Sequence, residues 1–289
     1  MRKLIHSISS RLLASELCLE HFGKNIDITN INTLFNADLE SLAFSTTPLK
    51  INNKGFVVTT IADKHHSGMI STNPRLDFIR TINWLSNNNF ISDPDKGVIH
   101  PSTIIHSTAI VDKYVSIGRD SVIGPNCNLT NGVLLGSNVR VGANTVIGHD
   151  GFGYEIDNNG IPIHFPHLGR VIINNNVTIG NLCTVARGTI KDTVINSGIK
   201  IDDHAYIAHN VIVGSNTLLM SGSKINGSVK IGHDCWIGTG AMIKEHVVVG
   251  NRVLIGMGST VIDNVKSSLT IAGNPSKIIK QDEKDKKDE

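Results

Sequence analysis

The stretch 201–211 carries the side chains best suited to acid–base chemistry. It reads Ile-Asp-Asp-His-Ala-Tyr-Ile-Ala-His-Asn-Val, and its second histidine, His209, stands where most neighbouring repeats have glycine, asparagine or aspartate. Imidazole titrates close to neutral pH, which suits a general base. A carboxylate seven residues earlier, Asp202, would orient the ring and stabilise its charged form. We therefore predict His209 as a base and Asp202 as its partner.

A six-residue repeat must position these side chains. An aliphatic residue falls at every sixth position over residues 105–147, 173–185 and 195–261, and glycine often follows it. A hexapeptide period predicts a parallel β-helix, in which each hexad is one strand and a corner. Three hexads then close a coil of about 18 residues, stabilised by stacking on its neighbours. We expect the aliphatic residues to fill the core and the glycines to adopt left-handed corner conformations.

The length of a coil aligns two further residues with His209. Gly227 follows His209 by 18 residues, so its amide is expected about 4.8 Å from the imidazole, the spacing of stacked strands. There it would hold a developing oxyanion. His246 follows His209 by 37 residues, which is two coils and one residue, or about 10 Å along the same edge. The alternative for both histidines is a polar corner residue satisfied by water.

Composition and charge exclude several classes of protein. The chain has 289 residues and a net charge of +2, and no basic run is interleaved with aromatic residues, which argues against a nucleic-acid partner. Residues 1–21 lack the uninterrupted apolar core of a signal peptide, and no apolar stretch is long enough to span a bilayer. We expect a cytoplasmic enzyme. Three of the four cysteines, Cys127, Cys183 and Cys235, occupy inward positions of hexads and are predicted to pack in the core.

The first hundred residues contain no hexads and are predicted to form a separate α/β domain, 1–100. Apolar spacing indicates one helix near Ile8–Leu19 and a second near Leu76–Leu85, with short strands between them. Asn73-Pro74 marks the entry to the second helix, because proline suits the first helical position.

The β-helix is predicted over residues 101–275, followed by a charged and disordered tail at 276–289. A loop insertion at 149–170 interrupts the repeat and carries Phe152 and Tyr154. Insertions in solenoids project as loops and often build the binding face. We therefore expect this loop to contact a ligand.

Five motifs between Gly148 and Gly258 identify a resemblance to a known family. They are Asp150-Gly151-Phe152-Gly153-Tyr154, Gly169-Arg170-Val171-Ile172-Ile173, Ile207-Ala208-His209-Asn210-Val211, Gly227-Ser228 and Gly256-Met257-Gly258. This region resembles the UDP-3-O-acylglucosamine N-acyltransferases of lipid A synthesis, which belong to the hexapeptide-repeat acyltransferases with a left-handed β-helix. The first hundred residues resemble that family's nucleotide-binding domain more weakly.

The resemblance implies a mainly β fold, a left-handed parallel β-helix with a small N-terminal α/β domain. It also implies roles for the aligned residues. His209 would be the general base, Asp202 would assist it, the Gly227 amide would serve the oxyanion, and His246 would lie in the same line. Members of the family are homotrimers with sites between neighbouring subunits, so we expect the same assembly.

Two departures from the family pattern affect the expected substrates. Lys50 replaces an aromatic residue that would stack on uracil, in the stretch that begins at Phe44. The helices that meet acyl carrier protein in the family are replaced by Ala272–Ile279, which resembles the ending of hexapeptide sugar acetyltransferases that use coenzyme A. We therefore expect a relative that acts on a different nucleotide-linked amino sugar.

The expected reaction is acyl transfer from a thioester to the amine of a nucleotide-linked amino sugar, in the synthesis of a surface polysaccharide or of lipid A. The co-substrate is acyl-CoA or acyl carrier protein, with no bound cofactor and no metal. The acyl donor is expected near His246, Gly256, Met257 and Gly258. The nucleotide sugar is expected near Phe44, Thr47, Phe152 and Tyr154.

Two other functions fit parts of the same pattern. His204 and His209 are five residues apart, as are paired zinc ligands in γ-class carbonic anhydrases, and His164 or His167 would supply the third ligand that catalytic zinc needs. A non-catalytic β-helix is the other alternative, since regular corners also serve as a flat binding surface.

Overall fold

The computed structural model describes residues 2–281 and divides them into two compact units. Unit 1 comprises residues 2–93, 152–169 and 189–191, and unit 2 comprises residues 94–151, 170–188 and 192–281. Unit 2 begins earlier than the border near residue 100 predicted from the repeat. The reason is that Gly97 donates its amide to the Lys113 carbonyl and Ile99 forms a bridge with Ile117, so the chain is already stacked on the first coil.

Unit 1 is an α/β unit with one six-stranded sheet. Its elements are β1 (Arg2–Ser9), α1 (Ser10–Glu16), β2 (Glu20–Phe22), β3 (Asp27–Ile31), a 3₁₀ turn (Leu34–Asn36), β4 (Ser41–Phe44), β5 (Phe56–Thr59), β6 (Ser67–Ile70) and α2 (Pro74–Asn87). The sheet order is β1-β3-β4-β5-β6-β2, with β3 to β6 parallel and β1 and β2 antiparallel at the edges.

Of the two helices predicted for unit 1, one begins where the sequence predicts and the other is shorter than predicted. The second is confirmed at its predicted entry, where Pro74 occupies the first turn and the Asn73 side chain accepts the Leu76 amide. The first is shorter than predicted, because Ile8 belongs to β1 and pairs with Ile28. Apolar residues at helical spacing here serve a strand and a helix in succession.

The β-helix of unit 2 is built from strands of mostly two or three residues. In chain order, with the hairpin strands β15 and β16 of unit 1 included, the strands are β7 (Ile104–Ile105), β8 (Ile110–Val111), β9 (Ser116–Ile117), β10 (Val122–Ile123), β11 (Asn128–Leu129), β12 (Leu134–Leu135), β13 (Arg140–Val141), β14 (Val146–His149), β15 (Tyr154–Ile156), β16 (Pro162–His164), β17 (Val171–Ile173), β18 (Thr178–Ile179), β19 (Thr184–Ala186), β20 (Thr193–Ile195), β21 (Lys200–Ile201), β22 (Tyr206–Ile207), β23 (Ile212–Val213), β24 (Leu218–Leu219), β25 (Lys224–Ile225), β26 (Lys230–Ile231), β27 (Trp236–Ile237), β28 (Met242–Ile243), β29 (Val248–Val249), β30 (Leu254–Ile255), β31 (Thr260–Val261), β32 (Leu269–Ala272) and β33 (Lys277–Gln281).

Successive strands of unit 2 go to three sheets in rotation. Face 1 is the ten-stranded sheet β7-β10-β13-β18-β21-β24-β27-β30-β32-β33, face 2 the eight-stranded sheet β8-β11-β14-β19-β22-β25-β28-β31, and face 3 the seven-stranded sheet β9-β12-β17-β20-β23-β26-β29. Neighbours within a face are parallel except β33, which pairs antiparallel with β32. We call the turns that follow face 1 strands the 1/2 corner and those that follow face 2 strands the 2/3 corner.

The inward residue of each hexad fills one continuous core, which confirms the predicted register. From Ile117 to Val261 every such residue is buried, and Ile105 and Val111 pack against the end of the core. Cys127, Cys183 and Cys235 lie in the same core, as predicted. The hexads predict a parallel β-helix and the family resemblance implies its left hand; the expected fold class, a mainly β chain with a left-handed parallel β-helix and a small α/β unit, is confirmed.

Most of the glycines after the inward residues have a different role from the one predicted, and among them only Gly148, with φ +95°, is left-handed. Gly142 is not left-handed, and a β-carbon there would lie 2.6 Å from the Gly180 carbonyl carbon of the next coil. The left-handed residue comes two places later, at Asn144, with φ +57°. These glycines therefore allow close stacking of coils, and asparagine, whose polar side chain tolerates this conformation, takes many of the strained corner positions.

Two ranges of the sequence prediction are corrected by the structure. Residues 152–169 pack within unit 1, because Phe165 enters its core beside Phe78 and Asn83 donates to the His164 carbonyl. The predicted tail begins too early, because β33 (Lys277–Gln281) pairs with β32. The remainder of that tail, 282–289, lies outside the described residues.

Candidate active site

His209 is a half-buried residue of the 2/3 corner, two places after the inward Ile207. Its Nδ1 lies 3.0 Å from Oδ1 of Asn210. An amide oxygen can only accept, so Nδ1 carries the proton and Nε2 of the neutral ring keeps its lone pair. Asn210 is itself fixed at φ +61°, and its amide donates to Thr193 Oγ1 at 2.9 Å. The corner thus holds the ring as the tautomer that a base at Nε2 requires.

Gly227 stacks directly on this imidazole, because β22 and β25 are paired with Ile207 opposite Ile225. A β-carbon on Gly227 would lie 2.7 Å from Cε1 and 2.9 Å from Nε2 of His209. The carbonyl of Gly227 accepts the His246 amide at 3.0 Å. Within residues 2–281 no acceptor binds the Gly227 N–H. The structure therefore brings a basic nitrogen and an available backbone donor together, as the coil length predicts.

His246 belongs to the same corner but to the neighbouring column. Like Asn210 and Ser228 it is the left-handed residue of its turn, with φ +65°, and it is exposed. The residue directly in line with His209 and Gly227 is Glu245, also exposed. His246 thus lies on the predicted edge, one position to the side of the line through His209.

Asp202 and the segment Gly256-Met257-Gly258 lie at the 1/2 corner, not with His209. Asp202 follows β21 and Gly256 follows β30, both strands of face 1. Asp202 is exposed and its carboxylate accepts the Asp203 amide at 2.8 Å. Met257 is 78 % exposed. Seven residues carry the chain across a whole face, so a single chain places Asp202 and His209 at different corners.

Arg187 was missed by the sequence analysis although it lies in the column of His209. It comes two places after the inward Val185, and β19 pairs with β22 with Val185 opposite Ile207. Its Nε donates to Asp150 Oδ1 at 2.7 Å. Four extra residues between the hexads of Val185 and Ile195 put Arg187 22 residues before His209, so counting by 18 passes over it.

His149 lies one coil before Arg187 in the same corner and is half-buried. Its carbonyl accepts the Arg187 amide at 3.0 Å. Burial lowers the pKa of His149 from its ordinary value of 6.5, while the Asp150 carboxylate acts in the opposite direction. The corner therefore carries, next to the coil of His209, the guanidinium of Arg187, the carboxylate of Asp150 and the imidazole of His149, whose neutral form is favoured by burial.

In unit 1, Phe44 and Thr47 occupy the end of β4 and the loop after it. The Phe44 ring packs on Phe78 with centroids 4.8 Å apart, so Phe44 is part of the unit's core rather than an exposed platform. Thr47 is exposed, and its amide and carbonyl are both held by the Ser45 hydroxyl. Lys50, which stands where the family has an aromatic residue, is exposed.

Phe152 and Tyr154 form a separate aromatic pair in unit 1. Their ring centroids are 4.9 Å apart, and Tyr154 also lies 5.3 Å from the His164 ring. Phe152 is 83 % exposed. Tyr154 starts the hairpin strand β15, which pairs with β16 opposite His164. The aromatic loop residues predicted to contact a ligand are thus exposed and held by a hairpin.

The histidines considered for zinc are dispersed in a single chain. His204 is a left-handed residue of the 1/2 corner and His209 lies at the 2/3 corner. His164 and His167 stack on each other in unit 1, with ring centroids 6.0 Å apart. Across residues 2–281, no group of three potential metal ligands includes His204 or His209.

Comparison with known proteins agrees with this architecture. The family model "Bacterial transferase hexapeptide (six repeats)" matches residues 114–149 and 228–263, and "Hexapeptide repeat of succinyl-transferase" matches residues 210–245. The UDP-N-acetylglucosamine acyltransferase of Campylobacter jejuni has a similar fold, with a TM-score of 0.53 at 22 % identity over 63 % of this chain and 73 % of that one.

Relatives from two organisms share one enzyme name. The UDP-3-O-acylglucosamine N-acyltransferase of Coxiella burnetii is 33 % identical over 223 residues, which are 66 % of this chain and 64 % of that protein. The enzyme of that name from Bordetella pertussis is 27 % identical over 285 residues, 82 % of this chain and 78 % of that protein. The chain therefore spans a little under two thirds of the length of its Coxiella relative.

The repeats, the three-faced core and these matches define the chain as a protein with a hexapeptide-repeat β-helix fold. Among proteins of this fold, the chain is a relative of the UDP-3-O-acylglucosamine N-acyltransferases, as its sequence motifs indicate. Among the described residues, no helix has both the length and the apolar character needed to cross a membrane.

Proposed function

We propose that this chain is an N-acyltransferase that moves an acyl group from a thioester to the amine of a nucleotide-linked amino sugar. The observation that carries the proposal is the corner formed by His209, Asn210 and Gly227. There a histidine has its Nδ1 bonded to an amide oxygen and its ring stacked against a glycine whose N–H has no acceptor within residues 2–281. The names of the relatives support the same reaction class.

The base in this reaction is Nε2 of His209. The sugar amine attacks the thioester carbonyl carbon and gives up a proton as the nitrogen–carbon bond forms. Nε2 accepts that proton because Nδ1 is already committed to Asn210. When the carbon–sulfur bond breaks, the imidazolium returns the proton to the departing thiolate. The products are an amide and a free thiol, and no covalent acyl-enzyme is formed.

The Gly227 amide stabilises the tetrahedral intermediate. Negative charge develops on the former carbonyl oxygen, and a backbone N–H fixed in advance lowers the energy of that charge without reorganisation. Gly227 is held by two neighbours, since its carbonyl accepts the His246 amide and its α-carbon packs on the His209 ring. Removal of one such donor typically costs about 10² to 10³ in rate.

The remaining predicted residues fit a site shared between chains. His209, Gly227 and His246 lie at the 2/3 corner, whereas Asp202 and the donor-binding segment Gly256–Gly258 lie at the 1/2 corner of the same chain. A homotrimer whose neighbours meet along these two corners would unite both sets. We therefore propose a homotrimer, in which Asp202 and Gly256–Gly258 of one subunit act across the interface on the site formed by His209, Gly227 and His246 of its neighbour.

The nucleotide is proposed to bind unit 1 through Thr47 and the exposed pair Phe152 and Tyr154, and near Phe44, whose ring packs in the core of the same unit. In this six-stranded α/β unit, Phe44 ends β4 and Thr47 lies in the loop after it. Because Lys50 is charged and not aromatic, the test below varies the nucleobase of the nucleotide sugar. Nucleotide sugars and acyl thioesters are metabolites of the cytoplasm, which is the compartment we propose.

The test is an acyl-transfer assay with purified protein. Amino sugars linked to UDP, dTDP, GDP and CDP are each combined with acyl-CoA and with acylated acyl carrier protein, and products are identified by mass spectrometry. We expect one amide and one free thiol per turnover for at least one pair. Hydrolysis without amide formation, or no thioester consumption above the uncatalysed rate with every pair, rejects the proposal.

A further inference from the structure

We infer that the Arg187 guanidinium binds a phosphoryl group of the nucleotide-linked sugar, one coil away from His209. The inference rests on the proposed function and adds to it an anion-binding residue in the same corner. Four observations support it: the position of Arg187, the contacts that hold its side chain, the N–H groups that remain on its guanidinium, and the distance between the amine and the phosphorus of the substrate.

Position is the first observation. Arg187 and His209 occupy the same place in consecutive turns of the 2/3 corner, because Val185 and Ile207 are paired two residues before them. Neighbouring parallel strands are about 4.8 Å apart. A ligand that presents its amine to His209 and extends toward β19 therefore has its next few atoms at the level of Arg187.

The second observation is how the guanidinium is held. Its Nε donates to Asp150 Oδ1 at 2.7 Å, and only 14 % of the side chain is exposed. The Arg187 amide is fixed by the His149 carbonyl. A guanidinium ordered before the ligand arrives loses little further entropy on binding.

The third observation is the set of donors that remain. Within residues 2–281 no acceptor binds the two terminal nitrogens of Arg187, and neither is a fully buried atom without a partner, so both reach solvent. Arg170 of the β-helix, which also pairs with an aspartate, instead uses a terminal nitrogen on Asp192. The fork of N–H groups left on Arg187 matches the oxygens of a phosphate.

The fourth observation is chemical span. In a nucleotide-linked sugar whose amine is on the carbon next to the anomeric carbon, four bonds separate the nitrogen from the first phosphorus. Four bonds of this kind span at most about 5 Å, which equals one coil. A phosphoryl group at Arg187 and an amine at His209 are thus compatible with one bound substrate.

The test compares Arg187→Gln and Arg187→Lys with Arg140→Gln, a control at an exposed arginine of face 1. For Arg187→Gln we expect the KM for the nucleotide sugar to rise about 10- to 100-fold, since charge-assisted hydrogen bonds are lost. We expect kcat and the KM for the thioester to change less than about threefold, and Arg187→Lys to recover part of the loss because it keeps the charge but not the fork.

Binding of inorganic pyrophosphate, measured by titration calorimetry, gives a readout that needs no turnover. Wild-type protein and Arg140→Gln should bind it equally, and Arg187→Gln more weakly. Equal pyrophosphate affinity in all three proteins, or a loss confined to kcat with unchanged KM, overturns the inference and leaves Arg187 as a structural ion pair. If the wild type binds pyrophosphate through Arg187 but transfers no acyl group, the proposed function fails and the anion site stands. Should Arg187→Gln fail to fold, the comparison of Arg187→Lys with the wild type decides.

Discussion

The imidazole of His209 fills the space that a side chain on Gly227 would need. A β-carbon on Gly227 would lie 2.7 Å from Cε1 and 2.9 Å from Nε2, both closer than atoms in contact allow. Glycine here is therefore a requirement of the histidine one coil earlier, and it keeps a backbone N–H beside the ring. The two residues form one unit, and a change in either displaces the other.

Gly227→Ala should lower kcat by about 10²-fold, because a displacement of the ring by about 1 Å is enough to misalign a base. Crowding of this kind also costs about 1–3 kcal/mol of stability. The matched control is Gly240→Asn, at a left-handed corner position with open space around it, of the kind that asparagine occupies elsewhere in this helix. Steady-state kinetics and thermal melting of both variants check this. Full activity in Gly227→Ala would show that the stacked ring takes no part in the reaction.

Asn210→Asp should stabilise the imidazolium form of His209, because a carboxylate would replace the amide oxygen that lies 3.0 Å from Nδ1. The acid limb of the profile of kcat/KM against pH should therefore move to higher pH. Asp202→Asn tests the other candidate carboxylate, which the proposed trimer would bring to His209 from a neighbouring subunit. An acid limb that moves with Asp202→Asn and not with Asn210→Asp would reverse the two roles.

His149→Gln should make the protein less sensitive to acid. Burial holds the pKa of His149 below 6.5 in the folded chain. The unfolded chain then binds more protons than the folded one, so His149 lowers the free energy of unfolding as the pH falls below about 6.5 and has no such effect above it. We expect the stability lost between pH 7.5 and pH 5, followed by denaturant unfolding, to be smaller in His149→Gln than in the wild type. Equal losses would show that the histidine titrates normally.

One cysteine of the four should react with iodoacetamide in the native protein. Cys18 is exposed, whereas Cys127, Cys183 and Cys235 are buried and burial raises the pKa of each thiol. Peptide mapping should find the label on Cys18 alone, and on all four after unfolding in guanidinium. Native labelling of Cys183 would mean that the core of the β-helix opens readily.

The six-residue spacing predicted the register of the β-helix because each inward residue is buried on stacking, and Ile207 and Ile225 pair as that spacing requires. It also predicted the pairing of His209 with Gly227, since a whole coil separates them. It did not place Asp202, because seven residues lead to another corner, and the carboxylate then bonds the Asp203 amide. The number of residues between two positions shows how many coils separate them. It shows whether they share a corner only when the position of each residue within its coil is also counted.

Other features depended on contacts that no repeat specifies. Arg187 was not predicted as a site residue, because four additional residues separate its coil from that of His209. Residues 149–170 were predicted as a loop insertion of the β-helix, because they lie between two blocks of hexads, yet residues 152–169 belong to unit 1, where Phe165 joins the core beside Phe78. The predicted first helix began at Ile8, because Ile8 fits the apolar spacing of the residues after it, but in the structure Ile8 belongs to β1 and pairs with Ile28.

The central claim is that His209 removes the proton from the attacking amine. The most direct measurement is the rate of amide formation by His209→Gln, with the wild type as reference, circular dichroism to verify folding, and added imidazole to replace the missing base. We expect a loss of about 10² to 10⁴ in kcat, disappearance of the acid limb of the pH profile and partial rescue by imidazole. Turnover within about threefold of the wild type in the folded variant would contradict the account, since a positioned base contributes at least about 10².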